Sequence, residues 1–154
     1  MTVATTEELS DAIRGAGLRL TAPRLAVLGA VGEKSHVDAG TVFERVLADL
    51  PDTSVQAVYG VLSALTDAGL LRRIEPAGSP ARYERRVDDN HHHIVCTRCG
   101  AINDVDCVVG HAPCLHPGNA SGYTVQTAEV TFWGLCPACQ DEVARAENTA
   151  EPVS

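Results

Sequence analysis

The chain has 154 residues, of which 45% are apolar and 21% charged, as is typical of a water-soluble globular protein. It contains no run approaching the roughly 18 apolar residues of a membrane span and no visible secretory signal, so we expect a cytoplasmic protein without membrane contact. In a reducing compartment, its six cysteines are better explained as metal ligands than as disulfides.

The net charge of −8 is unevenly distributed along the chain. Residues 1–86 contain ten Lys and Arg against eleven Asp and Glu, whereas residues 87–154 contain two against nine. The first half is therefore nearly neutral, and its arginines are clustered. It can present a basic surface to phosphates despite the acidic total.

Four helices are predicted before residue 70, including one over residues 6–16 and one over residues 55–68. Each follows a side chain that accepts hydrogen bonds from the free N–H groups of a first turn: Thr5, Thr21, Asp38 and Ser54. Two β-prone segments, residues 70–75 and 81–86, then flank a turn rich in Pro and Gly and predict a hairpin.

Helices followed by a hairpin are typical of winged-helix domains, in which the helix before the hairpin enters the major groove of DNA. The exposed face of that helix and two nearby arginines give the candidate DNA contacts: Arg19, Arg24, Ser54, Gln56, Tyr59 and Ser63. Alternatively, Tyr59 is a core or packing residue, and Gln56 and Ser63 are ordinary solvated surface.

Two Cys-x-x-Cys pairs, Cys96 with Cys99 and Cys136 with Cys139, indicate a structural Zn²⁺ site made of four thiolates. The alternative is a redox motif, but this needs one pair only and usually a βαβ context. Nothing upstream resembles such a fold, so we favour a metal site.

Three successive histidines open a β-prone segment predicted as a strand over residues 92–96. In a strand, His91 and His93 point to one face and can share a metal ion, while His92 points to the other. Further strands are predicted over residues 101–105 and 125–133, followed by a short helix.

The winged helix, the motif HHHxxCxxCG at residues 91–100 and the late CxxC pair resemble the ferric uptake regulator family over nearly the whole chain. Residues 105–115 and 132–137 are similar to actinobacterial members that control catalase-peroxidase genes. The resemblance implies a homodimeric repressor that binds an AT-rich palindromic operator in double-stranded DNA when a regulatory metal is present.

The expected fold class is α+β, with an N-terminal winged-helix DNA-binding domain over residues 1–86 and a hinge over residues 87–90. A small α/β dimerisation domain with the four-cysteine zinc site follows over residues 91–147. Residues 148–154 are predicted to form a flexible tail.

By the same resemblance, the regulatory site consists of His36, Glu84, His91, His93 and Asp104. Imidazoles and carboxylates suit Fe²⁺, Mn²⁺ or Zn²⁺, and the expected regulatory ion is Fe²⁺ or Mn²⁺. Its binding would fix the angle between the two halves of the chain, and peroxide would release DNA by oxidising His36 or His91. Asp104 favours peroxide sensing, whereas Glu84 replaces the Asp common among peroxide sensors. Regulation of metal uptake by iron or zinc level alone is the alternative.

Other family members have a further metal site, whose positions match Asn90, His92, His111 and Ala128 here. Because Asn90 and Ala128 are poor ligands, we expect this site to be absent or degraded. His92 and His111 would then be solvent-facing polar residues.

Three further points stay open in the sequence. Cys107 and Cys114 are a possible redox pair, additional zinc ligands or buried apolar residues. The fourth helix departs from the family pattern at Ala57 and Gly60. A metal-dependent hydrolase is the alternative of another class, but five protein ligands would leave no open position for substrate.

Overall fold

The computed structural model describes residues 4–32, 36–85, 91–106, 118–126 and 129–149. The chain divides into two compact units, Met1–Asp89 and Asn90–Ser154. The predicted hinge over residues 87–90 and the tail after Thr149 lie outside the described residues. The exact domain boundaries therefore stay predictions.

The first unit consists of helices packed against a small antiparallel sheet. Its described elements are α1 (Thr6–Gly15), α2 (Ala22–Val31), β1 (Val37–Asp38), α3 (Ala39–Asp49), α4 (Val55–Asp67), β2 (Arg72–Ile74) and β3 (Arg82–Glu84). The strand order is β1-β3-β2. The predicted caps are confirmed, because each helix begins directly after the side chain expected to cap it: Thr5, Thr21, Asp38 and Ser54.

The strand β1 is not predicted by the sequence, because a segment of two residues carries no periodic pattern. Val37 pairs with Tyr83 and Asp38 pairs with Arg82, so the hairpin gains a third strand just before α3. This pairing places His36, the residue before β1, beside the end of β3.

The core of the first unit is formed by apolar side chains from all four helices and the hairpin. In α4 the buried residues recur at helical spacing, at Val58, Leu62 and Leu65. The opposite face of α4 is consequently exposed to solvent. The other buried hydrophobic residues include Ile13, Val27, Leu28, Val31, Val42, Val46, Leu71 and Tyr83.

Asp38 gives this unit a pH-dependent contribution to stability. Its carboxylate accepts a hydrogen bond from the backbone N–H of Thr41 at 2.7 Å, and this hydrogen bond lowers the pKa of Asp38 below its ordinary value of 3.8. A lowered pKa in the folded state means that the stabilisation is present above the unfolded-state pKa. It is lost as the pH falls through the folded-state pKa.

We expect Asp38→Ala to lower the free energy of unfolding by about 0.5–2 kcal/mol at neutral pH, because α3 loses its cap. Asp38→Asn should retain most of the stability, since Asn caps helices about as well as Asp. Chemical denaturation at neutral and acidic pH measures both effects. If Asp38→Ala lowered the free energy of unfolding by the same amount in acid, the ionised Asp38 carboxylate would not be the source of the stabilisation.

The second unit contains β4 (His91–Cys96), β5 (Ile102–Asp106), β6 (Thr131–Gly134) and α5 (Pro137–Asn148) among its described residues. The strand order is β5-β4-β6. β4 pairs antiparallel with β5 and parallel with β6. The central strand β4 thus carries both the histidine motif and the first cysteine.

The predicted strand over residues 125–133 is too long, since β6 begins only at Thr131. The register pairs Thr131 with His93, so only two residues of β4 precede this point. Within the described residues, the sequence before Thr131 therefore has only His91 and His92 of β4 to pair with. Residues 127–128 lie outside the described part of the chain.

In the described residues, none of the helices combines the length and apolar content needed to span a membrane.

Candidate metal centres and nucleic-acid interface

The two cysteine pairs converge on one point in the second unit. The Sγ atoms of Cys96, Cys99, Cys136 and Cys139 all lie within 4.8 Å of one another, and those of Cys99 and Cys136 are 3.8 Å apart. Thiolates arranged tetrahedrally at 2.3 Å from a Zn²⁺ ion would be separated by about 3.8 Å. This distance is far longer than a disulfide bond, and all four are free thiols. The donor set therefore fits a tetrahedral zinc site.

The fold of the second unit explains why the thiols meet. Cys96 ends β4 and pairs with Gly134 of β6, and Cys136 is the N-cap of α5. The backbone N–H of Thr97 donates to the carbonyl of Gly134 at 2.8 Å. The parallel pairing of β4 with β6 therefore brings the second cysteine pair beside the first.

Two of the four thiols, those of Cys96 and Cys139, have pKa values shifted in opposite directions. Backbone N–H groups, first that of Cys99 and then that of Cys136, lower the pKa of the Cys96 thiol to about 6. The hydrogen bond with the Cys136 thiol, followed by burial, raises the pKa of the Cys139 thiol to about 12. A divalent cation would resolve this opposition, because it binds thiolates and displaces their protons.

A second donor cluster lies on one face of the β4–β5 pair. The Nε2 atoms of His91 and His93 are each 3.6 Å from Oδ1 of Asp104, and their rings lie 4.8 Å apart. His93 pairs with Asp104 across the strands, and His91 lies two residues earlier on the same face. Distances of 3.6 Å exceed a hydrogen bond and are close to those between ligand atoms around one metal ion, about 3.0–3.5 Å.

The first unit contributes a buried imidazole and a buried carboxylate. Nε2 of His36 lies 2.9 Å from Oε2 of Glu84, and the two side chains are only 7% and 2% exposed. Nε of Arg72 lies 3.9 Å from the other carboxylate oxygen of Glu84. Burial of a charged carboxylate is costly unless a cation or hydrogen-bond donor accompanies it. Nε2 of His36 and the carboxylate of Glu84 could therefore both bind one metal ion.

The sequence patterns do not indicate two contacts that lie in or next to these clusters. Arg72 lies next to Glu84 because it is the cross-strand partner of Glu84 in the hairpin, and a correct hairpin register would have indicated it. Phe132 lies against His92, with ring centroids 6.3 Å apart. This contact depends on the position of β6, which the sequence leaves imprecise.

The expectation that His92 is solvent-facing is wrong. Its side chain is on the face of β4 opposite His91 and His93, as predicted, but the residue is only 8% exposed. The reason is that β4 is the central strand of its sheet, with β6 placing Phe132 beside it. The other positions of the degraded site, Asn90, His111 and Ala128, lie outside the described residues, as do Cys107 and Cys114.

The candidate DNA contacts lie on the surface of the first unit. Ser54, Gln56, Tyr59 and Ser63 are all exposed along the outward face of α4. Tyr59 is 53% exposed, which excludes the alternative that it is a core residue. Arg19 is also exposed, and Nη1 of Arg24 donates to its carbonyl oxygen at 2.7 Å.

The chain is similar in sequence to a known protein family and to several of its members. Residues 15–130 match the Ferric uptake regulator family, and the chain belongs to this family. Transcriptional regulator FurA of Mycobacterium tuberculosis is 57% identical over 132 residues, covering 86% of this chain and 90% of the relative. Peroxide-responsive repressor PerR of Staphylococcus aureus is 26% identical over 145 residues, covering 88% of this chain and 92% of the relative.

Among solved structures, the ferric uptake regulator Fur of Helicobacter pylori has a TM-score of 0.66 at 20% identity. The match covers 91% of this chain and 97% of the Helicobacter protein. Together with the mixed helices and sheets and the four-cysteine cluster, this similarity confirms the predicted α+β fold.

Proposed function

We propose that the protein is a metal-dependent, DNA-binding transcriptional repressor of the cytoplasm, and not an enzyme. The observation that carries this proposal is the pairing of an exposed, capped helix of a winged-helix unit with buried imidazole–carboxylate clusters. A second support is the 57% identity to a protein named as a transcriptional regulator. A hydrolase would need an open metal position facing a substrate cleft. Four of the five donor side chains are instead buried, and that of Asp104 is 21% exposed.

The first part of the proposal is that Cys96, Cys99, Cys136 and Cys139 hold a structural Zn²⁺ ion. The convergence of the four Sγ atoms to within 4.8 Å of one another supports this assignment. A closed four-thiolate shell leaves no position for substrate, so its contribution is to folding. The zinc would join the end of β4 to the start of α5.

The second part is that His36, Glu84, His91, His93 and Asp104 ligate one regulatory Fe²⁺ or Mn²⁺ ion. Three imidazole nitrogens and two carboxylates suit such divalent ions. Because the ligands belong to both units, ion binding would select one orientation of the units. A repressor whose DNA-competent orientation is rarely populated without the ion would bind DNA weakly in that state.

The third part is that the protein acts as a homodimer. In the described part of the second unit, large apolar side chains are exposed: Ile94, Tyr123, Val125, Phe132, Trp133 and Leu135. A small three-stranded sheet with exposed apolar residues is stabilised when a second copy covers them. Two-fold symmetry would present two copies of α4 to a palindromic, AT-rich operator, about 34 Å apart along the duplex.

The oxidative response follows from the identity of the bound ion. The five proposed ligands would hold an Fe²⁺ ion, which would supply the redox chemistry that activates peroxide. Overall, peroxide would transfer one oxygen atom to a ring carbon of His36 or His91 and release water. The imidazole would lose the two electrons that peroxide gains, and the iron would not be consumed. Control of oxidative-stress genes such as a catalase-peroxidase is the corresponding role. The similarity to a peroxide-responsive repressor supports the peroxide response.

Selection from a pool of randomised duplexes tests the function. With Mn²⁺ and zinc-loaded protein, we expect enrichment of sequences with two-fold symmetry and half-sites about one helical turn apart. Failure to enrich any sequence would contradict the assignment as a sequence-specific regulator.

Peroxide treatment of the Fe²⁺ and Mn²⁺ forms separates a peroxide sensor from an uptake regulator. Peroxide treatment of the Fe²⁺ form, but not of the Mn²⁺ form, should add one oxygen atom to His36 or His91 and release the selected duplex. Mass spectrometry of peptides containing these residues measures the oxidation. Unmodified histidines with retained DNA binding would favour a regulator that responds to iron or zinc level alone.

A further inference from the structure

The outward face of α4 is unusual for a helix that enters the major groove, because it carries no cation. No Lys or Arg occurs between Ser54 and Ala68. Arg and Lys make the commonest specific contact with guanine, through its O6 and N7 atoms. The direct base contacts of this helix must therefore come from side chains other than Lys and Arg.

Among those side chains, Gln56 has the chemistry to distinguish one base. The amide group of Gln both donates and accepts, which matches the N6 and N7 atoms of adenine in the major groove. Gln56 is the second residue of α4 and is exposed, and the first residues of a recognition helix are the ones that contact base edges. Hydroxyl groups, such as that of Ser63, contact bases with less discrimination.

Gly60 supports a close approach of this face to DNA. A glycine within a helix weakens it, and packing does not require one here, because an added Cβ would meet nothing within 4 Å. Gly60 lies four residues after Gln56 and is exposed, so it is on the same side of α4. A bare backbone at this point lets the helix approach the base edges more closely than a longer side chain would.

We propose that Gln56 is the specificity-determining residue of α4 and reads one adenine in each operator half-site. Neutralisation of phosphates is left to arginines outside α4, such as the exposed Arg19. This inference rests on the proposed DNA-binding function and deepens it by naming the base that is read.

The test uses a duplex selected with Mn²⁺-loaded wild-type protein, in which each adenine is replaced in turn by 7-deazaadenine. This analogue lacks the N7 acceptor and still pairs with thymine. For the wild type, we expect one adenine per half-site at which the replacement weakens binding about tenfold, the scale of one bidentate contact. Gln56→Ala should bind the unmodified duplex and the 7-deazaadenine duplex equally. Gln56→Glu should prefer cytosine at that position, since Glu accepts a hydrogen bond from the cytosine amino group.

Glu44→Gln, an exposed substitution on α3, serves as the control and should keep the adenine dependence of the wild type. Gln56→Ala should fold normally because the position is exposed and Ala favours helices. If selection enriches no duplex, the proposed function fails. If a duplex is enriched but no 7-deazaadenine replacement weakens binding, or Gln56→Ala still shows that weakening, the proposed function stands and the role of Gln56 is overturned.

Discussion

Replacing Cys99 with Ser should release zinc and unfold the second unit, while the helices of the first unit persist. Among the described residues of the second unit, the buried hydrophobic side chains are Val95, Cys96 and Cys139. The thiols themselves therefore form much of this core, and little other apolar burial is available to hold β6 and α5 to β4. Structural zinc sites contribute about 10–16 kcal/mol of apparent binding free energy at neutral pH, which is available to folding.

Cys99 is the best position for this test because it is exposed, so that serine loses a ligand without leaving a cavity. Zinc content by elemental analysis and thermal unfolding by circular dichroism measure the effect. Cys107→Ser and Cys114→Ser are matched controls, and zinc retention in both would show that these cysteines are not ligands. One retained zinc ion and an unchanged unfolding curve for Cys99→Ser would contradict the four-thiolate site.

Glu84→Gln should abolish the dependence of DNA binding on Mn²⁺, with a loss of at least about 100-fold in metal affinity. Even changes in groups that only support metal ligands cost 10–100-fold, and Glu84 is proposed as a direct ligand. The amide keeps the shape of the carboxylate and removes its charge, so the substitution weakens the buried contacts with His36 and Arg72 and leaves no cavity.

Glu75→Gln is the control for this substitution. Glu75 follows β2 in the same hairpin, is exposed and forms an ion pair with Arg73. Its replacement should change neither metal affinity nor operator affinity, because exposed ion pairs contribute little. Isothermal titration with Mn²⁺ and anisotropy of a labelled duplex measure the two affinities. A Glu84→Gln protein that binds both ligands like the wild type would remove Glu84 from the regulatory site.

The features that could be predicted from the sequence depend on local chemistry. The helix starts follow from single capping side chains such as Asp38 and Ser54, whose hydrogen bonds reach only three residues along the chain. His91 and His93 lie on one face of β4 and His92 on the other because side chains alternate between the faces of a strand. The cysteine spacing similarly indicates that the four thiols form one group, and the structure brings them together.

The features that escaped prediction depend on contacts distant in the chain. β1 forms because Val37 pairs with Tyr83, and the position of β6 depends on the pairing of Thr131 with His93. The burial of His92 follows from the neighbouring strands on both sides of β4. None of these is encoded by a pattern within a few residues, so composition and periodicity alone did not indicate them.

The most direct test of metal-controlled DNA binding is a titration of the selected duplex with zinc-loaded protein at increasing concentrations of free Mn²⁺. Fluorescence anisotropy of the labelled duplex measures the operator affinity. We expect the operator affinity to rise at least about tenfold as one Mn²⁺ ion per chain is bound, while the zinc content stays constant. Equal affinity with Mn²⁺ and with a chelator that leaves zinc in place would contradict the proposal that a removable ion controls DNA binding.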